Sequence, residues 1–226
     1  MTIKQKLDAP IKFKKAKLPS RKNFRGQYVV LEPIIISRHS KDLYNNFLRD
    51  KKNIIWEYLP YGPFKSYGSF KKWLKSFCLN KDPFFYAIYS KRHRQYCGMA
   101  SYLRITPEHG SIEVGHINYS PILQNTVEGT EVMYLMMKNA FEVLGNRRYE
   151  WKCNNLNSAS KKAAKRLGFK FEGVFRQMFI FKGRNRDSAW FSIIDKEWKK
   201  HKKKYLSFLK RSNFDNKLNQ KKKLKI

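Results

Sequence analysis

One stretch of the chain predicts a strand, a loop and a helix in direct succession. Residues 111–144 read SIEVGHINYSPILQNTVEGTEVMYLMMKNAFEVL. Residues 111–119 have strand character, and 124–129 form a polar loop after Pro121. Apolar residues then follow at 132, 133, 136, 137, 140, 143 and 144, which predicts a helix over 130–144 that ends at Gly145. A helix that opens directly after a loop presents unpaired N–H groups, so this unit is a candidate anion site.

The segments on either side of this unit also alternate between strands and helices. Turn residues at 60–63 and 183–186 separate some of them. Strands before and after a central helix predict an α/β fold, in which helices cover a mixed sheet. The other predicted strands are 28–32, 84–89, 96–105, 148–153, 169–182 and 187–194, and the other predicted helices are 40–49, 66–78 and 157–167.

The net charge of +32 is concentrated at the two ends of the chain. Residues 1–26 hold nine Lys and Arg and one acidic residue, whereas residues 199–226 hold twelve and one. We therefore predict a basic N-terminal extension over 1–26, a folded domain over 27–198 and a lysine-rich C-terminal tail over 199–226. Such runs attract RNA, ribosomes or other anionic surfaces. Translation from AT-rich codons also enriches lysine, so both explanations of the basic ends stay open.

A pattern at the start of the C-terminal tail indicates a different possibility. Trp198, Tyr205, Leu206 and Leu209 are apolar residues within an otherwise basic segment. Their positions favour one more helix that packs on the domain.

The composition disfavours several classes of protein. No apolar run approaches the ~18 residues that a membrane span needs, and no apolar segment follows the basic N-terminus as in a secretory signal. Cys78, Cys97 and Cys153 are too few and too scattered for a disulfide framework or a zinc site. The five histidines show no ligand spacing. These observations predict a cytoplasmic protein with reduced cysteines and no bound metal.

Two further groups of residues are candidates for chemistry. Asn157 and Ser160 open the helix that ends at Leu167-Gly168, and Glu113 lies in the middle of a predicted strand. Asn and Ser are also ordinary helix caps, and an acidic residue in a strand more often faces solvent than a cleft. Each residue therefore keeps a structural and a functional interpretation.

Taken in order, these segments resemble the GCN5-related N-acetyltransferase (GNAT) superfamily, and within it the ribosomal-protein N-terminal (RimJ/RimL-type) branch. The resemblance covers about residues 28–195 and is carried by five stretches, 56–63, 110–116, 124–129 with its helix, 157–169 and 183–190. It implies a mixed, mostly antiparallel sheet that is splayed at the CoA site and has helices on both faces.

The resemblance also implies how acetyl-CoA binds. The CoA pyrophosphate is expected on backbone amides of Gln124, Asn125, Thr126, Val127, Glu128, Gly129 and Thr130. The family pattern has a glycine where this chain has Val127, and a β-branched residue requires a negative φ. The loop must therefore hold Val127 in an ordinary conformation or bind pyrophosphate less well. The pantetheine arm is expected between strands 112–119 and 148–154, with a hydrogen bond from Asn157.

For catalysis, the resemblance implies direct transfer in a ternary complex. Glu113 is the expected general base, because the amine must lose a proton before it attacks, and His116 is the alternative. Many superfamily members protonate the leaving thiolate with a Tyr, which Ala164 replaces here. Ser160 is then the expected proton donor, and no cysteine is placed for a covalent intermediate.

The identity of the acceptor stays open at this stage, because fold does not select it. The acceptor is expected to be a primary amine on a protein N-terminus or a small molecule. Aromatic residues of the first two helices are expected to line its pocket, among them Trp56, Tyr58, Tyr61 and Trp73. Two other functions compete: a nucleic-acid-binding protein, and a non-catalytic CoA sensor, for which Val127 and Ala164 argue.

Overall fold

The computed structural model describes residues 10–226, within which eight strands form a single sheet. The strands are β1 (Phe24–Arg25), β2 (Val29–Pro33), β3 (Phe84–Ser90), β4 (Gln95–Thr106), β5 (Ser111–Tyr119), β6 (Arg148–Asn154), β7 (Lys170–Phe181) and β8 (Arg184–Ile194). The α-helices are α1 (Ile36–Phe47), α2 (Tyr67–Phe77), α3 (Val127–Lys138), α4 (Ser158–Arg166) and α5 (Asp195–Leu209). None of these helices is long and apolar enough to cross a membrane.

The sheet is mixed, and its one parallel pair is short. Its strand order is β1-β2-β3-β4-β5-β6-β8-β7, and every neighbouring pair is antiparallel except β5 and β6. β5 pairs with β6 only from Ser111 to Val114, although β5 continues to Tyr119 and β6 to Asn154. The far halves of the two strands are therefore splayed, which confirms the predicted fold class.

The two faces of the sheet carry separate apolar cores. Helices α3, α4 and α5 pack on one face, where Tyr102 and Tyr149 are fully buried. Helices α1 and α2 pack on the other face, where Phe70 and Phe85 belong to the core. The alternation of strands and helices predicted a sheet covered by helices, and the family resemblance implied helices on both faces.

Helix α3 begins three residues earlier than the sequence predicted. Thr126 is its N-cap, and its hydroxyl accepts a hydrogen bond from the Gly129 N–H at 3.1 Å. The predicted loop 124–129 is therefore a loop only at 124–126, because a Thr cap places the next residues in the first turn. Val127 is the first helical residue and has a negative φ, so it needs no unusual backbone conformation.

A buried carboxylate ties α3 to the start of β2. Glu131 accepts hydrogen bonds from the backbone N–H groups of Gln27, Tyr28 and Val29 at 2.7, 2.7 and 2.9 Å. Three donors satisfy a carboxylate that would otherwise be costly to bury. The contact fixes the position of α3 across the sheet.

The C-terminal residues are part of the folded domain, and the predicted tail over 199–226 is corrected. The predicted boundary at residue 198 falls inside α5, on which Tyr205 and Phe208 are buried. Leu224, near the end of the chain, is buried as well. These apolar residues overcome the preference of the surrounding lysines for solvent, because each buried side chain contributes about 1.5–3 kcal/mol.

The described part of the N-terminal extension, which begins at residue 10, is also attached to the domain. The Ala16 N–H donates to the Pro107 carbonyl, and the Lys17 N–H donates to the Leu144 carbonyl. Residues 1–9 lie outside the described residues. From residue 10 onward, the predicted extension over 1–26 therefore lies against the domain and leads into β1.

We predict that Tyr205 holds α5 on the domain. Its side chain is 0% exposed, and its hydroxyl donates to the Leu167 carbonyl at 2.8 Å. Tyr205→Ala should lower the free energy of unfolding by about 3–5 kcal/mol, as removal of a buried aromatic ring does. Urea unfolding followed by circular dichroism measures the change. Leu206→Ala, at a side chain that is 47% exposed in the same helix, is the control and should change it by less than about 0.5 kcal/mol. Equal effects of the two substitutions would contradict the prediction.

Candidate functional site

A β-bulge lies at the point where β5 separates from β6. Ser101 of β4 pairs with Gly115 and Met99 pairs with Asn118, so β5 has one residue more than β4 in this interval. His116 lies in the bulge and has a φ of +49°. A bulge bends its strand and increases the local twist. It therefore contributes to the opening between the two strands.

The N-terminus of α3 lies beside this opening, directly after β5 and its loop. The Thr126 side chain and carbonyl accept from the N–H groups of Gly129 and Thr130. The N–H groups of Val127 and Glu128 have no acceptor among residues 10–226. Arg166 of α4 donates to the Thr130 hydroxyl at 3.0 Å and adds a positive charge. This helix end therefore offers two amides and a guanidinium to an anion.

The side chains of the loop mainly stabilise the loop itself. Gln124 donates to the Tyr119 carbonyl at 2.9 Å, and Asn125 has a left-handed backbone with a φ of 57°. The Glu128 carboxylate is buried and accepts from the Ser90 hydroxyl. A Cβ at Gly129 would lie 2.9 Å from the Leu123 carbonyl oxygen. Gly129 is therefore required for closure of the loop.

Ser160 does not cap its helix. Asn157 is the N-cap of α4, because its Oδ1 accepts from the Ser160 N–H at 2.9 Å. The Ser160 hydroxyl instead accepts from the Trp151 indole N–H at 3.0 Å. Burial raises the pKa of the adjacent Cys153 thiol, and a hydrogen bond from Ser160 opposes this. The Ser160 hydroxyl thus accepts from Trp151 and keeps a hydrogen, which the Cys153 sulfur can accept.

A row of alternating charges crosses the opposite face of the sheet. Glu113 on β5, whose side chain is 4% exposed, accepts from Arg104 at 2.8 Å and contacts Lys152 at 3.0 Å. Lys152 contacts Glu150 at 2.8 Å. Beyond them, Glu150 and Glu172 both pair with Arg148. Burial raises the pKa of Glu113, while Lys152 and Arg104 act against that rise. Buried ions persist only when they are paired in this way.

His116 lies against an aromatic wall on the same face as Glu113. Its Nδ1 is hydrogen-bonded to the Tyr61 hydroxyl at 3.0 Å, and its ring stacks on Tyr61 with centroids 5.6 Å apart. Phe77 and Phe85 pack against its other sides. Burial, with help from the charges of Arg104 and Arg186, lowers the pKa of His116 to about 4. The imidazole is therefore neutral near pH 7.

The structure brings together only some of the predicted acceptor residues. Tyr61 packs on Trp73 with ring centroids 4.3 Å apart. Tyr61 contacts His116 directly, whereas Trp73 is connected to it through Phe77, which packs on both. Trp56 is buried behind Tyr61 and belongs to the core. Tyr58 is half-buried, and no aromatic ring among the described residues packs on it.

The two predicted catalytic groups approach the opening from opposite faces of the sheet. Trp151 and Lys152 are consecutive on β6, so their side chains alternate between the faces. Ser160 contacts Trp151, whereas Glu113 contacts Lys152. A molecule that passes through the opening can therefore meet Ser160 on one side and Glu113 on the other.

Sequence reasoning missed three cations of this site, Arg104, Lys152 and Arg186. A signal for Lys152 was present, because Arg148-x-Glu150-x-Lys152 has the period of a strand and places three charges on one face. No local pattern distinguishes Arg104 or Arg186 from surface residues. Both acquire their surroundings from strands that are distant in sequence.

Neither a metal centre nor a reactive thiol is found within residues 10–226. No three His, Cys, Asp or Glu side chains there could hold a metal ion together. Cys78, Cys97 and Cys153 are buried and unpaired. Burial raises the pKa of each thiol, that of Cys97 to about 12, which disfavours the thiolate that a nucleophile needs.

Comparisons with known proteins agree with this architecture. The sequence model described as "Acetyltransferase (GNAT) domain" matches residues 29–170. A GCN5-related N-acetyltransferase from Brucella melitensis is 40% identical, with a TM-score of 0.91 over 93% of this chain and 95% of that one. A candidate GNAT-family acetyltransferase from Chromobacterium violaceum ATCC 12472 is 39% identical, with a TM-score of 0.79 over 88% and 98%.

A more distant structure shares the fold alone. It is the microcin C7 self-immunity acetyltransferase MccE in complex with acetyl-CoA and AMP, which is 18% identical, with a TM-score of 0.66 over 75% of this chain and 93% of that one. No curated protein matches the sequence.

We predict that the His116 imidazole stays neutral from pH 5 to 8 and titrates near pH 4. An unfolded histidine has a pKa of about 6.5, so the unfolded chain takes up this proton first. The contribution of His116 to stability should therefore be full above about pH 6.5 and fall as the pH drops toward 4. An NMR titration measures the pKa, and His116→Gln assigns the resonance. A midpoint near 6.5 in the folded protein would refute the prediction.

Proposed function

The chain belongs to the GNAT family of acetyltransferases, and from that premise we propose that it transfers an acetyl group from acetyl-CoA to a primary amine. The observation that carries the proposal is the opening between β5 and β6, which lies beside the N-terminus of α3 and between Glu113 and Ser160. We propose direct attack of the amine, since the buried cysteines offer no nucleophile.

Several groups at the opening suit acetyl-CoA, which supplies an activated acetyl thioester when bound. The amides of Val127 and Glu128 and the nearby Arg166 suit its pyrophosphate. Asn118 is 1% exposed, and both polar atoms of its side chain lack a partner among residues 10–226, as does the Ser120 hydroxyl. Buried polar groups without partners are rare, so these suit the amides of the pantetheine arm. The acetyl-CoA in the MccE structure supports the same cosubstrate.

Glu113 is the proposed general base. An α-amine has a pKa of about 8 and a lysine side chain of about 10.4, so an acceptor must lose a proton to react. Both cations contact Oε2 of Glu113, so Oε1 forms no ion pair among residues 10–226. Oε1 is therefore the oxygen that we propose takes the proton. His116, with its low pKa, is a weaker base and suits orientation of the acceptor with Tyr61.

Ser160 is the proposed proton donor to the leaving thiolate. Its oxygen accepts from Trp151, which directs the hydroxyl hydrogen away from the indole. Ala164, where a Tyr acid stands in many relatives, is fully buried and leaves this role to Ser160. We propose that Asn157 contributes by capping α4 and holding the Ser160 backbone, with its amide nitrogen left for the CoA arm.

The acceptor and the location of the enzyme are proposed more broadly. Tyr61 and Trp73 are the proposed walls of the acceptor pocket, with Tyr58 at its margin and Trp56 as support behind Tyr61. The RimJ/RimL-type resemblance is compatible with a protein N-terminus or a small-molecule amine as acceptor. Three unpaired cysteines support a reducing compartment such as the cytoplasm.

The proposal is tested by the release of free CoA thiol. Acetyl-CoA at ~100 times its dissociation constant should stabilise the protein by about 2.7 kcal/mol. A panel of peptide N-termini and small amines should then release thiol only when enzyme, acetyl-CoA and acceptor are all present. Stabilisation without thiol release would favour the CoA-sensor alternative. If acetyl-CoA gives neither stabilisation nor thiol release, both the enzyme and the CoA-sensor function are excluded.

We predict that Ser160→Ala lowers kcat by at least about a hundredfold, because general acids contribute ~10²–10⁴-fold. The affinity for acetyl-CoA and the melting temperature should change little, because Asn157 caps α4. Ser158→Ala, at an exposed serine of the same helix, is the matched control and should keep kcat. A fully active Ser160→Ala enzyme would contradict the assignment.

Glu113→Gln should lower kcat by a similar factor. The loss should be partly recovered at high pH, because more of the amine is then neutral.

A second role in binding RNA or ribosomes is supported by the surface of α5. Its exposed lysines are Lys196, Lys199, Lys200, Lys203 and, after its end, Lys210. They form one stripe about 21 Å long, because fourteen residues of helix rise about 1.5 Å each. The buried face of α5 holds this stripe rigidly on the domain, which suits the phosphates of RNA.

We predict that replacing Lys199, Lys200 and Lys203 with Gln weakens binding to single-stranded RNA. Each lost phosphate contact should reduce the slope of log K against log salt by about 0.7. Filter binding at several salt concentrations measures the slope. Replacing Lys71, Lys72 and Lys75 of α2 removes the same charge elsewhere. Equal slopes in the two triple variants would mean that only the total charge matters and that α5 is not an RNA site.

A further inference from the structure

Arg186 lies in the same row of β8 side chains as Trp190. In the antiparallel register, Trp190 is opposite Lys152 and Ser188 is opposite Asn154. Alternate residues of a strand share a face, so Arg186, Ser188 and Trp190 lie on the face of Lys152 and Glu113. The ammonium group of Lys152 lies 3.7 Å from the centre of the Trp190 ring. Arg186 thus extends the charged row toward the splayed end of β6.

Arg186 is the cation of this row that has no anion. The remaining charges of the row form one chain of contacts in which three cations alternate with three carboxylates. Its members in order are Arg104, Glu113, Lys152, Glu150, Arg148 and Glu172. Among residues 10–226, Arg186 forms no ion pair, and its one side-chain hydrogen bond runs from Nε to the Ser188 hydroxyl at 3.2 Å. The terminal nitrogens of its guanidinium are left to bind something else.

The surroundings of Arg186 hold its guanidinium in a partly desolvated position. The ring centres of Phe181 and Phe179 lie 4.5 and 5.5 Å from its central carbon. Burial lowers the pKa of Arg186, and the charges of Cys153 and Glu113 only partly oppose this. Two aromatic rings and a buried Ser188 thus orient a planar, bidentate donor, and removal of water from it is costly without an anion.

The position of Arg186 relates it to the reacting end of the acceptor. Phe179 lies between Arg186 and Arg104, whose central carbon is 5.6 Å from the same ring. Arg104 contacts Glu113, and the charges of both arginines act on His116. On the far side, Lys182 of the β7–β8 hairpin donates to the Trp56 carbonyl at 2.9 Å. The hairpin therefore connects to the acceptor wall and faces the groups proposed for catalysis.

We infer that Arg186 binds a carboxylate of the acceptor, so that the preferred substrate is a primary amine with a carboxylate close to it. This inference rests on the proposed function and names its substrate class. Arg186 adds one positive charge that no carboxylate of the row pairs with, so a ligand with one negative charge would neutralise it. A guanidinium also matches the two oxygens of a carboxylate in a parallel, bidentate pair. The carboxylate can be that of a free amino acid or the side chain of an acidic residue near a peptide N-terminus.

The test compares acceptors in which a carboxylate is replaced by a carboxamide. Glycine is paired with glycinamide, and the amidated peptide Ala-Asp-Ala is paired with amidated Ala-Asn-Ala. Calorimetric binding in the presence of CoA gives a carboxylate-to-carboxamide affinity ratio for each pair, and thiol release gives the ratio of kcat/KM. The amino acid pair reports an α-carboxylate, and the peptide pair reports a side-chain carboxylate.

In the wild type, at least one pair should favour the carboxylate by ~10–100-fold, because a hydrogen bond to a charged group is stronger than one to a neutral group. Arg186→Gln should reduce that ratio to near one, chiefly through KM. Arg184→Gln, at an exposed arginine two residues away, is the matched control and should keep the ratio. Arg186→Lys retains the charge without the bidentate geometry and should give an intermediate ratio, even if the Gln variant folds poorly.

Two outcomes overturn the inference: a wild-type affinity ratio near one for both pairs, or an undiminished ratio in Arg186→Gln. Thiol release with the carboxamide acceptors would still uphold the proposed function in either case. Conversely, a carboxylate preference in binding that Arg186→Gln removes supports the inference, even if no acceptor of the panel is acetylated.

Discussion

The short parallel pairing between β5 and β6 is the constraint on which the rest of the site depends. Four residue pairs join the strands, and the bulge at His116 then bends β5 while both strands continue. A gap in the middle of a sheet leaves backbone groups without partners, which is costly unless a ligand or water pairs with them. The N-terminus of α3, the hydroxyl of Ser160 and the carboxylate of Glu113 all border this gap, so an extended ligand lying in it meets each of them.

The charged row, which runs from Arg104 of β4 across β5, β6 and β7 and is extended by Arg186 of β8, explains why one face of the sheet remains open to a substrate. An apolar core continued over these strands would attract a covering helix. Instead, Glu113, Lys152 and Glu150 are buried as a paired network, which has little tendency to bind another apolar surface. The network holds Glu113 in one orientation through two cations, and it leaves Arg186 as an unmatched charge at the open end. The same arrangement therefore holds both the proposed base and the arginine that we propose selects among acceptors.

Prediction from the sequence succeeded where local pattern and local chemistry agreed. The strand–loop–helix unit and the α/β class follow from segments that are contiguous in the chain, whereas the splay of the sheet was implied by the family resemblance. The start of α3 was misplaced, because Thr126 and the glycine at 129 read equally well as a loop and as a cap with its first turn. The C-terminal boundary was misplaced because the lysines of α5 dominate its composition, whereas its position depends on Tyr205 and Phe208, which need the domain as a partner. Ser160 was read as a possible cap, although the indole of Trp151 occupies its hydroxyl.

The sequence by itself determined the order of strands and helices and the family, because periodicity, caps and motif spacing are local properties of the chain. Only the tertiary structure decided how the candidate site residues are arranged. Glu113 acquires two cations from β4 and β6, His116 acquires its aromatic surroundings from the segment after α1 and from α2 and β3, and Arg186 is left without an anion only because every other charge around it is matched. Such pairings depend on distances between segments that are remote in sequence. Burial of the paired groups then shifts their pKa values and strengthens the effect of a charge that has no partner.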